Sequence, residues 1–175
     1  GLAKSSGRPV ALVCTSGTAA ANYLPAITEA HWSGTPLIVL TANRPPELRG
    51  WGAGQTIDQT NIYGSKVRWF AELPIASESS PGWFQRTAAR AVQTSTGLHP
   101  GPVHLDWPFR EPLEPRGDAS GAHPLKPLTI ATPTLTLKSD AVARLAASFE
   151  STPRGVVVAG PMAAGDRWKH AVQDF

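Results

Sequence analysis

Two short apolar, β-branched runs, residues 9–14 (PVALVC) and 36–40 (PLIVL), lie one helix-length apart, and this spacing constrains the fold more than any other feature of the chain. Unbroken apolar runs of that length, bounded by GlyArgPro and ThrSerGly in the first case, are the mark of strands buried in a parallel sheet. Between them, residues 18–32 carry small and apolar side chains at helical spacing and stop at Ser33-Gly34, a C-cap signal. A strand, a helix and a strand at this separation form one right-handed βαβ unit. The rhythm continues with a strand over 66–73, a helix over 81–96 with Pro81 in its first turn, and a strand over 102–107. The expected class is α/β, a parallel sheet with helices on both faces.

That pattern holds to about residue 110, so residues 1–110 read as one domain. Residues 111–137 hold Pro112, Pro115, Pro124, Pro127 and Pro133 among Gly, Ser and Thr, without an apolar period, and read as a linker ordered against a surface. Residues 138–175 read as the beginning of a second α/β domain: a helix over 139–149, a strand over 154–160 (RGVVVAG) and a helix over 165–175. The first residues, GLAKSSGRP, read as a helix running out into a loop, and the last as a helix without a stop signal. Both ends therefore read as cuts through structure, and the chain as an internal fragment.

Composition narrows the classes of function. With 41% hydrophobic and 17% charged residues in 175, the chain has the make-up of a globular protein with one sizeable core. A net charge of +3 comes from scattered Lys and Arg rather than a basic stripe, so no nucleic acid is expected as a partner. Cys14, the single cysteine, has no internal partner, which points to a reducing cytoplasm, and its apolar neighbours make it a small buried hydrophobe. No run approaches the ~20 apolar residues of a membrane span, and no export signal opens the chain.

Three polar segments are candidates for chemistry. The first, TSGTAAAN over 15–22, joins a strand to a helix; its small residues let a ligand or a neighbouring backbone come close, with Thr15 or Ser16 as N-cap in the plainer reading. It is neither a P-loop nor a GxGxxG fingerprint. The second is the connection over 43–64, with two prolines, four glycines and two arginines, leaving the C-terminal end of a strand where open α/β sheets place ligands. Arg44, stiffened by Pro45 and Pro46, suits bidentate carboxylate recognition, and Gln55 follows a flexible GlyAlaGly stretch. Glu47, Arg49, Asp58 and Gln59 would equally form local surface pairs. The third holds His104 and Asp106, which alternate on one strand and share a face; a core histidine and a strand-ending aspartate account for them without catalysis. No HxxEH, CxxC or other metal spacing occurs.

In this order and spacing, RPVALVCTSGTAAANYLPAITEA, PLIVLTANRPPELRGWGAGQTIDQ and GPVHLDWPFREPLEP resemble the 2-succinyl-5-enolpyruvyl-6-hydroxy-3-cyclohexene-1-carboxylate synthases, thiamine-diphosphate enzymes of menaquinone biosynthesis. The likeness covers residues 1–115 and returns faintly at RGVVVAGPMAA. The pairing of RPPELR with GAGQTIDQ is its most specific part, while TSGTAAAN is a variant of a turn shared across the superfamily. One departure is Asn43, where the pattern has Asp before RPPE.

The resemblance implies that residues 1–110 are most of a pyrimidine-binding domain. It implies a transferase that decarboxylates 2-oxoglutarate on thiamine diphosphate, with Mg²⁺ or Mn²⁺, and adds the succinyl unit to isochorismate, working as a homodimer or homotetramer. Arg44 and Gln55 correspond to substrate-binding positions; Ser16, Gly17, Thr18 and Asn22 correspond to the turn beside the cofactor. The family's catalytic Glu belongs before Gly1 and its GlyAspGly metal-diphosphate motif after Phe175, so no catalytic or metal-binding residue is expected within the chain, nor activity from it alone. Two other readings stay open: a different thiamine-diphosphate carboligase or decarboxylase, and a non-catalytic α/β interaction module. If the first reading holds, Arg44, Gln55 and the Ser16 turn should converge on one cleft.

Overall fold

A computed structural model of the chain describes residues 1–75, 80–114, 125–131, 133–152, 154–156, 158 and 160. They fall into two units, Gly1–Pro133 and Thr134–Phe175. In the first, helix α1 (Leu2–Ser6) leads through Gly7, left-handed at φ 65°, into strand β1 (Val10–Cys14). Helices α2 (Thr18–Ala21) and α3 (Leu24–Trp32) follow, then strand β2 (Leu37–Asn43), strand β3 (Trp69–Glu72), helix α4 (Pro81–Thr96) and strand β4 (Pro102–Pro108). All pairings are parallel, in the order β1-β2-β4-β3.

Alternation along the strands divides the interior in two. Ile38, Leu40, Val103, Leu105 and Trp107 face one side and pack with Leu73, Ala91 and Trp83, the last two from α4. Leu37 and Val39 face the other side and pack with Ile27 of α3, Tyr63 and Leu12. Helices thus cover both faces, because period-2 strands with apolar residues at successive positions have two faces to bury.

Four expectations change. The single helix over 18–32 is two, since Pro25 in the first turn of α3 has no N–H to continue the ladder and its ring crowds the preceding turn. The first strand is not buried: β1 lies at the sheet edge, with alternating exposure and Val13 70% exposed, because α4 packs over β2 and β4 and leaves that part of the sheet uncovered among the described residues. Cys14 on this strand is accordingly only half-buried. The strand over 66–73 shrinks to Trp69–Glu72, its first residues closing a 3-10 turn at Gly64–Lys66 instead.

In the second unit, helix α5 (Ser139–Glu150) forms, with Asp140 and Arg144 paired one turn apart at 2.8 Å. The strand expected over 154–160 is absent among its described residues, of which Val156 and Val158 are almost fully exposed. The helix expected over 165–175 lies outside the described residues.

Candidate functional site

A parallel sheet sends every strand's C-terminal end to one edge, and there the 15–18 turn after β1 meets the long connection after β2. The meeting is tight. Ser16 Oγ donates to the Gln55 carbonyl at 3.0 Å, and Gln55 Nε2 donates to Thr15 Oγ1 at 2.6 Å and to the Ser16 carbonyl at 3.2 Å. The Gly17 amide donates to Gln59 Oε1 at 2.6 Å. Gly17 sits at φ 82°, ψ −145°, a region essentially reserved for glycine, and a Cβ there would stand 3.1 Å from the Gln55 carbonyl oxygen. The small residues of this turn therefore admit a neighbouring backbone. Gly17, not Thr15 or Ser16, is the N-cap of α2, with no side-chain cap.

Arg44 stands where β2 ends. Its amide donates to Asn43 Oδ1 at 2.7 Å, and its Nε and Nη2 both donate to the Gly54 carbonyl at 3.3 Å. Arg44 thus holds the carbonyl next to Gln55, Gln55 holds Thr15 and Ser16, and Gly17 is held separately by Gln59, whereas Thr18 and Asn22, exposed on α2 and at its C-cap, contribute no side chain to this cluster. The neighbouring arginines are committed to carboxylates: Arg49 pairs with Glu72 at 2.8 Å and Arg110 with Glu47 at 2.5 Å. The hydrogen bonds from Arg110 hold the Glu47 carboxyl below its ordinary range. These pairs bridge distant elements instead of being local. Arg44 has no carboxylate ion-pair partner among the described residues, and it lines a groove of about 190 Å³ together with Leu48, Phe109, Leu113 and the acidic Glu47 and Glu111. A larger groove of about 480 Å³ opens at the opposite, N-terminal edge, between Leu2, Val10, Ala30 and Leu37, away from all of these groups.

Beneath the edge lies a buried polar network that sequence reasoning did not assemble. Asp106, fully buried, accepts from Thr41 Oγ1 at 2.6 Å and Gln59 Nε2 at 3.0 Å on one oxygen, and from Asn43 Nδ2 at 2.5 Å on the other. Gln59, expected in a surface pair, is 1% exposed; Asp58, the other member of that expectation, accepts only the Thr60 amide. Because the Thr41 hydroxyl proton points to Asp106, its oxygen accepts from His104 Nε2 at 2.8 Å, which fixes the Nε2–H tautomer. His104 Nδ1 is left buried without a partner. Burial beside the Tyr63 and Phe70 rings lowers the His104 pKa to about 4, so the ring is neutral. The same face-sharing that brings His104 and Asp106 together puts them inside the sheet rather than at its edge. Burial likewise raises the Cys14 thiol and, for Tyr63, whose hydroxyl donates to the Ala20 carbonyl at 2.7 Å, lifts the phenol far above its usual value.

Comparison with known proteins bears on this edge. Residues 1–62 match the family described as thiamine pyrophosphate enzyme, N-terminal TPP binding domain. The chain is 46% identical over 168 residues to the 2-succinyl-5-enolpyruvyl-6-hydroxy-3-cyclohexene-1-carboxylate synthase of Geobacillus kaustophilus, covering 93% of this chain and 29% of that protein. It is 44% identical to the synthase of the same name from Haloarcula marismortui, over 94% of this chain and 31% of that one. With the Thermobifida fusca synthase it shares 56% over 117 residues, 66% of this chain and 21% of that protein. A parallel sheet with this turn at its carboxyl edge is that of a thiamine pyrophosphate enzyme's N-terminal domain. By sequence, the chain belongs to the 2-succinyl-5-enolpyruvyl-6-hydroxy-3-cyclohexene-1-carboxylate synthase family, spanning less than a third of the length of these relatives.

The fit of the cofactor to this edge is limited. The Ser16 hydroxyl and Gly17 amide are already spent on Gln55 and Gln59, leaving a close-packed wall rather than free donors for a diphosphate. Among the described residues, no group of three or more His, Cys, Asp or Glu is placed to hold a metal ion.

Proposed function

We propose that the protein carrying this chain is a thiamine-diphosphate-dependent transferase that takes 2-oxoglutarate and isochorismate as substrates in menaquinone synthesis. One observation carries the reading: Arg44 is the cation of this edge without a carboxylate partner among the described residues, while Arg49 and Arg110 each have one. A guanidinium held from one side by the Gly54 carbonyl has its remaining N–H groups available to a substrate carboxylate, and both substrates are carboxylates. In this reading Gln55 sits beside the same substrate, and Ser16, Gly17, Thr18 and Asn22 border the cofactor's heterocycle by shape. The diphosphate and Mg²⁺ or Mn²⁺ are then anchored by residues other than the described ones, and the working form is a cytoplasmic homodimer or homotetramer. Residues 1–110, 111–137 and 138–175 serve as pyrimidine-binding domain, linker and beginning of a middle domain.

The test is carbon dioxide release by the full-length protein supplied with thiamine diphosphate and Mg²⁺. Release that requires 2-oxoglutarate and is coupled to consumption of isochorismate is expected. Turnover of pyruvate in preference to 2-oxoglutarate, or none at all, would contradict the proposal. Residues 1–175 alone are expected to show no turnover and no micromolar affinity for thiamine diphosphate in calorimetry; tight binding by this piece would overturn the placement of the anchor elsewhere.

A further inference from the structure

Both candidate site elements hang from one buried group. Asp106 holds Gln59 through Nε2, and Gln59 in turn holds the Gly17 amide through Oε1. On its other oxygen Asp106 holds Asn43 Nδ2, and Asn43 Oδ1 holds the Arg44 amide. Each carboxamide thus has its donor turned to Asp106 and its acceptor turned to a backbone N–H of the edge. Inverting either one would set acceptor against acceptor at Asp106 and donor against donor at the backbone N–H. No cation neutralises Asp106 among the described residues; its partners are three neutral donors from β2 and the 44–68 connection.

We propose that Asp106 is the positioning residue of this edge, fixing the Gly17 turn and Arg44 in one relation to each other by setting which way Gln59 and Asn43 face. The proposal rests on the reading of Arg44 and that turn as site elements. It also accounts for Asn43. An aspartate at 43 would lay a second carboxylate against Asp106 where one N–H···O bond of 2.5 Å now stands. The exchanged pair, Asp at 43 with Asn at 106, satisfies every group again: Asn at 106 accepts from Thr41 and Gln59 and donates to position 43, whose second oxygen accepts the Arg44 amide. Neither single exchange does so.

The experiment compares Asn43→Asp, Asp106→Asn and the double exchange in the full-length protein, reading amide hydrogen exchange at Gly17 and Arg44 together with kcat and KM for 2-oxoglutarate and isochorismate. Each single variant should speed exchange at Arg44 and lower kcat/KM by about tenfold, the worth of a lost charge-assisted hydrogen bond. The double variant should return both to within about threefold of the parent. If a single variant does not fold, the double variant, which keeps the full hydrogen-bond set, still decides the matter: failure to fold or to recover would overturn the proposal. Single variants that lose only thermal stability, with amide exchange and kcat/KM unchanged, would reduce Asp106 to a structural residue. A parent without carboligase turnover would sink the functional reading alone, and hydrogen exchange would then judge the positioning by itself.

Discussion

At His104 the neighbours decide where every proton sits, and that has a consequence for stability against pH. The folded ring titrates near 4, below its ordinary 6.5, because burial disfavours the imidazolium. A depressed value means that the unfolded chain takes up the proton first on acidification. The stability is therefore intact above about pH 6.5 and falls as the pH drops from there to about 4, by on the order of 3 kcal/mol. Urea unfolding at steps between pH 7.5 and 4.5 should show that decline, and a flat profile would rule it out. Gly17→Ala belongs to the same scale. Forcing a Cβ into that backbone region costs about 1–3 kcal/mol before the 3.1 Å contact with Gln55 is counted, so the denaturation midpoint should drop and the 15–18 turn should part from the connection. Neither Asn43 nor Gln59 announced its role in the sequence. Their partner Asp106 lies 63 and 47 residues away, and only the β2–β4 register that sets Thr41 beside Asp106 brings the group together.

Elements were legible where a local signal was strong. Helix α4 runs from Pro81 to Thr96 as expected, because Ser80 accepts the Trp83 amide as N-cap, Pro81 opens the first turn and Gly97 follows the end. Ser80→Ala should cost about 1 kcal/mol in chemical denaturation, and an unchanged midpoint would mean the cap is idle. Where signals conflicted, tertiary context decided. The apolar spacing of residues 18–32 ran on through Pro25, whose missing N–H divides it into α2 and α3. The run of β1 had the composition of a buried strand, yet strand order is not written in a local pattern, and the edge position leaves Val13 exposed. In the same way the elements carrying Arg44 and Gln55 were readable as a strand end and a glycine-rich loop, but their joining through the Gly54 carbonyl was not.

On the scale of the molecule, four parallel strands deliver the turn after β1 and the connection after β2 to one edge, and the buried Asp106 network braces that edge from below. Two of its arginines are matched to carboxylates within the first unit, and Arg44, bonded to the Gly54 carbonyl, borders the groove without such a match among the described residues. The proposed function turns on that arginine. The most direct measurement is kcat/KM for 2-oxoglutarate and for isochorismate in the full-length protein, with and without Arg44→Ala. Loss of a charge-assisted hydrogen bond to a carboxylate, about 1.5 to 3 kcal/mol, predicts a fall of about tenfold or more for at least one of the two. Values unchanged for both substrates in a folded variant would remove Arg44 from the site and contradict the account.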